Sequence, residues 1–138
     1  MVIFATYPEE MKKLLSSNPG LSSRVAQVLH FPDYEEDDLF SIFKTFTDKE
    51  RLTLPENAAA ICADFFRQLK ERTGRDFGNG REARRLFQTA KEEMALRAVI
   101  DPTVDSALSD ADLRRAADRL LEQEKEKKSS MSPIGFGA

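Results

Sequence analysis

Gly78-Asn79-Gly80-Arg81-Glu82 is the stretch of this sequence best suited to chemistry on an anion. Two glycines flank Asn79, and an amphipathic run begins directly after them. The spacing predicts a helix starting at Gly80. Asn79 is its expected N-cap, and Glu82, three residues on, is the expected capping-box partner. Arg81 then falls in the first turn, where the macrodipole is positive and a cation is ordinarily disfavoured. A guanidinium beside the free N–H groups of a helix start makes an anion site. The residues alone also allow the commoner case, an arginine that is merely solvated.

Other reactive side chains offer less. His30 is the one histidine, which excludes a Ser/His/Asp triad or a cluster of imidazoles around a metal, and no metal site is expected. Cys62 is the one cysteine, so an intrachain disulfide is excluded; inside Ala58-Ala59-Ala60-Ile61-Cys62-Ala63 it reads as a buried thiol. Asp33, Glu35, Glu36, Asp37 and Asp38 could draw a cation, but acidic residues gather at helix starts in any case. Arg81, Arg84 and Arg85 could form a phosphate patch. The formal charge of -3 and the scarcity of exposed aromatics argue against nucleic acid, leaving Arg84 and Arg85 as surface or subunit-interface residues.

The elements that must position these residues follow from the pattern. Val2-Ile3-Phe4-Ala5 and the stretch from Val25 to Phe31 read as strands covered on both faces. A short helix lies between them, from Tyr7-Pro8 through Leu15, with acidic residues in its first turn. Two strands cannot form a stable parallel sheet alone, so this segment reads as the end of something larger. Beyond Pro32 the pattern turns helical. Asp33 with Glu36 is expected to cap a helix to about Lys49, burying Leu39, Ile42, Phe43 and Phe46. Thr53-Leu54-Pro55-Glu56 is expected to start a second, carrying Ala59, Ile61, Cys62, Phe65, Phe66 and Leu69 and ending at Thr73-Gly74. The third runs from Gly80 to about Ala98, with Ala83, Leu86, Phe87, Ala90 and Met94 inward. Ser109-Asp110-Ala111-Asp112 caps the last, with Leu113, Ala116, Ala117, Leu120 and Leu121 inward. Four capped helices with short connections describe an α bundle. The expected organisation is thus 1–32, 33–122, and a tail over 123–138 that is disordered, unless its charged part prolongs the last helix. No run is long enough to span a membrane and no basic leader precedes the first apolar run, which makes a cytoplasmic protein the default.

Four stretches occur in a telling order: Val2-Ile3-Phe4-Ala5-Thr6-Tyr7-Pro8-Glu9-Glu10-Met11, Ser17-Asn18-Pro19-Gly20-Leu21-Ser22-Ser23-Arg24-Val25, Phe31-Pro32-Asp33-Tyr34 and Phe77-Gly78-Asn79-Gly80-Arg81. Together they resemble the C-terminal part of an AAA+ ATPase of the CbxX/CfxQ type, a group that includes stage V sporulation protein K-like proteins and red-type rubisco activases. The resemblance covers roughly residues 1 to 121. It implies a mainly α fold: an AAA+ lid-type four-helix bundle, preceded by a two-strand, one-helix remnant of the αβα ATPase core.

The resemblance also implies roles. Arg24 matches the arginine finger, which reaches in trans into a neighbouring subunit's site. Arg81 matches the sensor 2 arginine, with Gly78, Asn79 and Gly80 completing the nucleotide-binding motif. Tyr7, and with it Thr6, occupies the sensor 1 region, although Thr6 stands where this group usually has glycine. In the intact parent the cofactors are ATP and Mg²⁺, and the partners are the Walker-containing part of the core and like subunits in a ring, usually hexameric, that remodels a protein substrate. No glycine of the six is followed by lysine, and no hydrophobic strand ends in Asp-Glu, so Walker A and Walker B are both missing from these 138 residues. The expectation is that this chain alone hydrolyses no ATP and binds nucleotide weakly at best. The alternative is a free-standing helical interaction module without nucleotide chemistry, using apolar Val2, Ile3, Phe4, Val28 and Leu29.

Overall fold

A computed structural model describes residues 2–103 and 106–131. The chain divides after Asp33 into two compact units. The first holds α1 (Pro8–Ser17) and the single turn α2 (Pro19–Ser22). Pro8 opens α1 and Pro19 opens α2, each where a missing N–H is harmless. Asn18 Oδ1 accepts the Leu21 N–H at 3.1 Å and caps α2. Neither helix buries a residue.

The second unit is built from α3 (Glu36–Lys49), α4 (Ala58–Thr73), α5 (Gly80–Ile100) and α6 (Asp110–Met131). They pack in a ring, α3 on α5, α5 on α6, α6 on α4 and α4 on α3. The core inside holds Leu39, Phe43, Cys62, Phe65, Phe66, Leu69, Leu86 and Leu113, with Phe77 and Leu108 contributed by the connections. Phe43 meets Phe87 edge-on and Phe46 stacks on it, which locks α3 to α5. Burial pushes the Cys62 thiol up to about 12, so at neutral pH it is packing and not a nucleophile. The mainly α class and the four-helix bundle stand as expected.

Several local expectations need correction. The presumed strands at 2–5 and 25–31 form no ladder; the one β interaction among the described residues is the isolated parallel bridge between Thr53 and Ala107. Two strands without neighbours leave half their N–H and C=O groups to water, so pairing gains them little. Thr53 does not cap α4. Its N–H donates to Ser106 and its carbonyl accepts from Leu108, and α4 starts later, after Asn57. That shift turns Ala58 inward and leaves Ala59 exposed. At α3 the cap is Glu35, whose N–H faces Asp38 Oδ2 at 3.4 Å, and not Asp33 with Glu36. Ser109 and Asp112 do form their box: each side chain accepts the other's backbone N–H, at 3.2 and 3.0 Å. The tail expected from 123 is helical as far as Met131, because the charged run prolongs α6; residues 132–138 lie outside the described residues. None of the described helices is long and apolar enough to cross a membrane.

Candidate functional site

The approach to Arg81 begins at the end of α4. Gly74 terminates that helix at φ 55°, ψ -123°, a conformation that glycine enters freely, and its N–H reaches back to the Lys70 carbonyl. A short 3₁₀ turn (Gly74–Asp76) follows, and Phe77, 6% exposed, anchors the chain in the core. The Arg81 N–H then donates to the Gly78 carbonyl at 3.1 Å, closing a four-residue turn over Asn79 and Gly80. Asn79, at φ 52°, ψ -124°, has the conformation that a type II′ turn requires of its first central residue. Asn79 thus occupies nearly the same backbone region as Gly74, at a penalty of order 1–3 kcal/mol for a residue with a Cβ.

Asn79 is therefore not the side-chain cap expected of it. No cap hydrogen bond is made; instead its Oδ1 accepts the Tyr34 N–H at 2.9 Å. Glu82 does not complete a capping box with it either. Its carboxylate is turned inward, 7% exposed as a residue, and pairs with Arg85 at 2.8 Å. Arg85 also reaches Glu124 of α6 at 3.4 Å. The folded-back Glu82 lies close over Gly78, where a Cβ would displace its carboxylate. Arg84 lies over the Phe46 ring, 5.2 Å from its centroid. So Glu82, Arg84 and Arg85 are absorbed by the bundle, while the Arg81 side chain stays exposed on the first turn and has no ion-pair partner among the described residues. The first turn of α5 thus presents a cation that no described residue compensates, at the positive end of a helix.

Arg24, Thr6 and Tyr7 belong to the first unit. Arg24 is exposed just past α2, its N–H held by the Leu21 carbonyl at 3.0 Å. Thr6 is exposed, and Tyr7, 58% exposed, is the residue that precedes α1. Gly78, Asn79, Gly80 and Arg81 are brought together in the second unit. Two parts of this arrangement went unseen in the sequence. The Glu82–Arg85 pair had a signal, opposite charges three apart on a helix. The tie between Asn79 and Tyr34 had none, since a backbone amide 45 residues away leaves no pattern.

A family profile described as "AAA lid domain" matches residues 35–130, the helical unit almost from end to end. The chain belongs to that family. The chain is also similar to several curated proteins. A "Protein CfxQ homolog" of Pyropia yezoensis is 36% identical over 114 residues, which is 82% of this chain and 36% of that protein. "Protein CbxX, chromosomal" of Cupriavidus necator is 33% identical over 101 residues, 73% of this chain and 31% of that protein. A "Ribulose bisphosphate carboxylase/oxygenase activase, chloroplastic" of Cyanidioschyzon merolae is 30% identical over 102 residues, 74% of this chain and 34% of that protein. The sequence is thus of the CbxX/CfxQ type within the AAA+ ATPase family. It spans about a third of the length of the curated relatives it matches.

Proposed function

We propose that this chain is the C-terminal segment of an AAA+ ATPase, in which residues 33–122 close as a lid over a nucleotide and residues 1–32 complete the ATPase core. The observation that carries the reading is the state of Arg81. Its acidic neighbour Glu82 is turned inward and paired with Arg85, which leaves the exposed Arg81 guanidinium on the first turn of α5 without an ion-pair partner among the described residues. Those residues fit a polyphosphate. Arg81 would meet its oxygens as sensor 2, and the Gly78-Asn79-Gly80 turn would bring the backbone close. ATP with Mg²⁺, when bound, supplies the phosphoryl group whose hydrolysis drives remodelling of a protein partner. Arg24 is proposed to act in trans on a neighbouring subunit, in a ring that is hexameric by family habit, and Thr6 or Tyr7 to orient water. The exposed Val2, Ile3, Val28 and Leu29 suit strands whose neighbours come from the rest of an ATPase core. The cytoplasm is the proposed compartment.

The coding DNA tests this first. Upstream of Met1 it should continue in frame through Walker A and Walker B motifs; a stop codon directly before Met1 would favour the free-standing interaction module. In the continuous polypeptide, Arg24→Ala should lower ATP turnover by about 10³-fold or more. Arg81→Ala should weaken ATP binding by about 10–100-fold, as for a lost charge-assisted hydrogen bond. Unchanged turnover in the first and unchanged affinity in the second would end the assignment of those roles. The 138-residue chain alone should hydrolyse no ATP.

A further inference from the structure

Asn79 holds a backbone conformation that glycine would hold more easily, as Gly74 does a few residues earlier. An asparagine at such a position earns its place only through its side chain. That side chain reaches away from α5: Oδ1 accepts the N–H of Tyr34 at 2.9 Å, and Nδ2 leans toward the Phe77 carbonyl at 3.4 Å. Tyr34 is the first residue of the helical unit, just ahead of α3. The carboxamide therefore joins the point where the chain enters the unit to the turn from which Arg81 departs.

We propose that Asn79 is a positioning residue for Arg81: clasped by the Tyr34 amide, its carboxamide holds residues 78–81 in this turn and makes the entry of the chain and the start of α5 move as one. The purpose of this clasp rests on the phosphate role proposed for Arg81, but the clasp itself requires no phosphate. A turn held only by its own backbone would present Arg81 over a range of directions. One clasped from 45 residues away presents it in one direction, set by where the chain comes in.

The test uses the 138-residue chain and two variants, read by amide hydrogen exchange and by the Arg81 Nε resonance in NMR spectra, with inorganic tripolyphosphate as the probe. Asn79→Gly keeps the backbone conformation and deletes the clasp. The Tyr34 amide should then exchange about five- to tenfold faster, as expected for one lost hydrogen bond, while core amides at Leu86 and Phe87 keep their rates. The Arg81 Nε resonance should move, and half-saturation by tripolyphosphate should need several-fold more probe. Asn79→Asp retains an acceptor oxygen and should return Tyr34 to within about twofold of its original protection. Unchanged Tyr34 exchange in Asn79→Gly overturns the clasp. A loosened Tyr34 with an unmoved Arg81 resonance overturns the positioning role. Should Arg81 ignore tripolyphosphate in the unaltered chain, the phosphate reading fails, and positioning then stands or falls on whether Asn79→Gly displaces the Arg81 resonance.

Discussion

Asp112 is fully buried and still charged, because its neighbours are arranged to keep it so. Arg97 Nη2 donates to it at 2.7 Å, Arg115 Nη2 at 2.8 Å, and the Ser109 N–H at 3.0 Å. Removing a buried carboxylate of this kind strands its cations and deletes a helix cap together. Asp112→Ala should lower the unfolding free energy by about 3–5 kcal/mol, read from chemical denaturation, and Asp112→Asn by less because its carboxamide keeps one acceptor. A change in the opposite direction is available at Arg51. It ends α3 at φ 57°, with Arg51 N–H on the Asp48 carbonyl at 3.1 Å and Leu52 N–H on the Thr47 carbonyl at 2.9 Å. This is the paired pattern of a Schellman ending, in which glycine is the favoured residue. Arg51 is exposed, so Arg51→Gly should stabilise the chain by about 1 kcal/mol in the same assay.

Between elements, α5 and α6 are joined by a ladder of ion pairs. Arg97 meets Asp112, Arg115 and Arg119 meet Glu93, and Arg85 meets Glu124. At Asp112 burial pushes the carboxyl up, but hydrogen bonds from Arg97 and Ser109, with the Arg97 charge, outweigh it and leave the carboxyl below its ordinary value. Glu124 is also lowered, first by its hydrogen bond from Lys127; burial opposes this, and the charges of Lys127 and Arg85 assist. Both folded values lie under the unfolded ones, so between them the unfolded chain binds more protons. Their stabilisation is complete above the ordinary carboxylate range, near pH 4, and is lost as pH falls through the lower folded values. Thermal melts should therefore hold their midpoint from neutral pH to about 4.5 and drop below it. That four helices build the bundle was legible in the sequence, because the inward residues of α5 and α6 recur at helical spacing and Ser109-Asp112 is a local box. Where α3 and α4 begin was not. Thr53 has a cap's residue type, yet a bridge to Ala107, far along the chain, takes its backbone first. Asn79 likewise was legible as a turn residue but not as a clasp, since Tyr34 is distant in sequence.

For the whole molecule, the two units differ in what holds them. α1 and α2 bury nothing, and Val2, Ile3 and Phe31 are 77%, 76% and 85% exposed. Short helices without a packed face are marginal in water. Amides from 8 to 25 should exchange at nearly unprotected rates in the isolated chain, while those of α4 and α5 in the core are slowed by roughly 10³-fold or more. Comparable protection in both regions, seen by hydrogen exchange and mass spectrometry, would contradict this. Within the helical unit the seam between α5 and α6 is itself uneven. α6 is stitched down at Asp112, buries Leu120 and Leu121, and beyond Glu124 presents only exposed side chains. Unwinding of this helix therefore has a direction, starting at Met131 and halting at the Glu124–Arg85 rung. That rung stands one turn along α5 from Arg81, so whatever frays or braces the last turns of α6 is felt first at the arginine's doorstep.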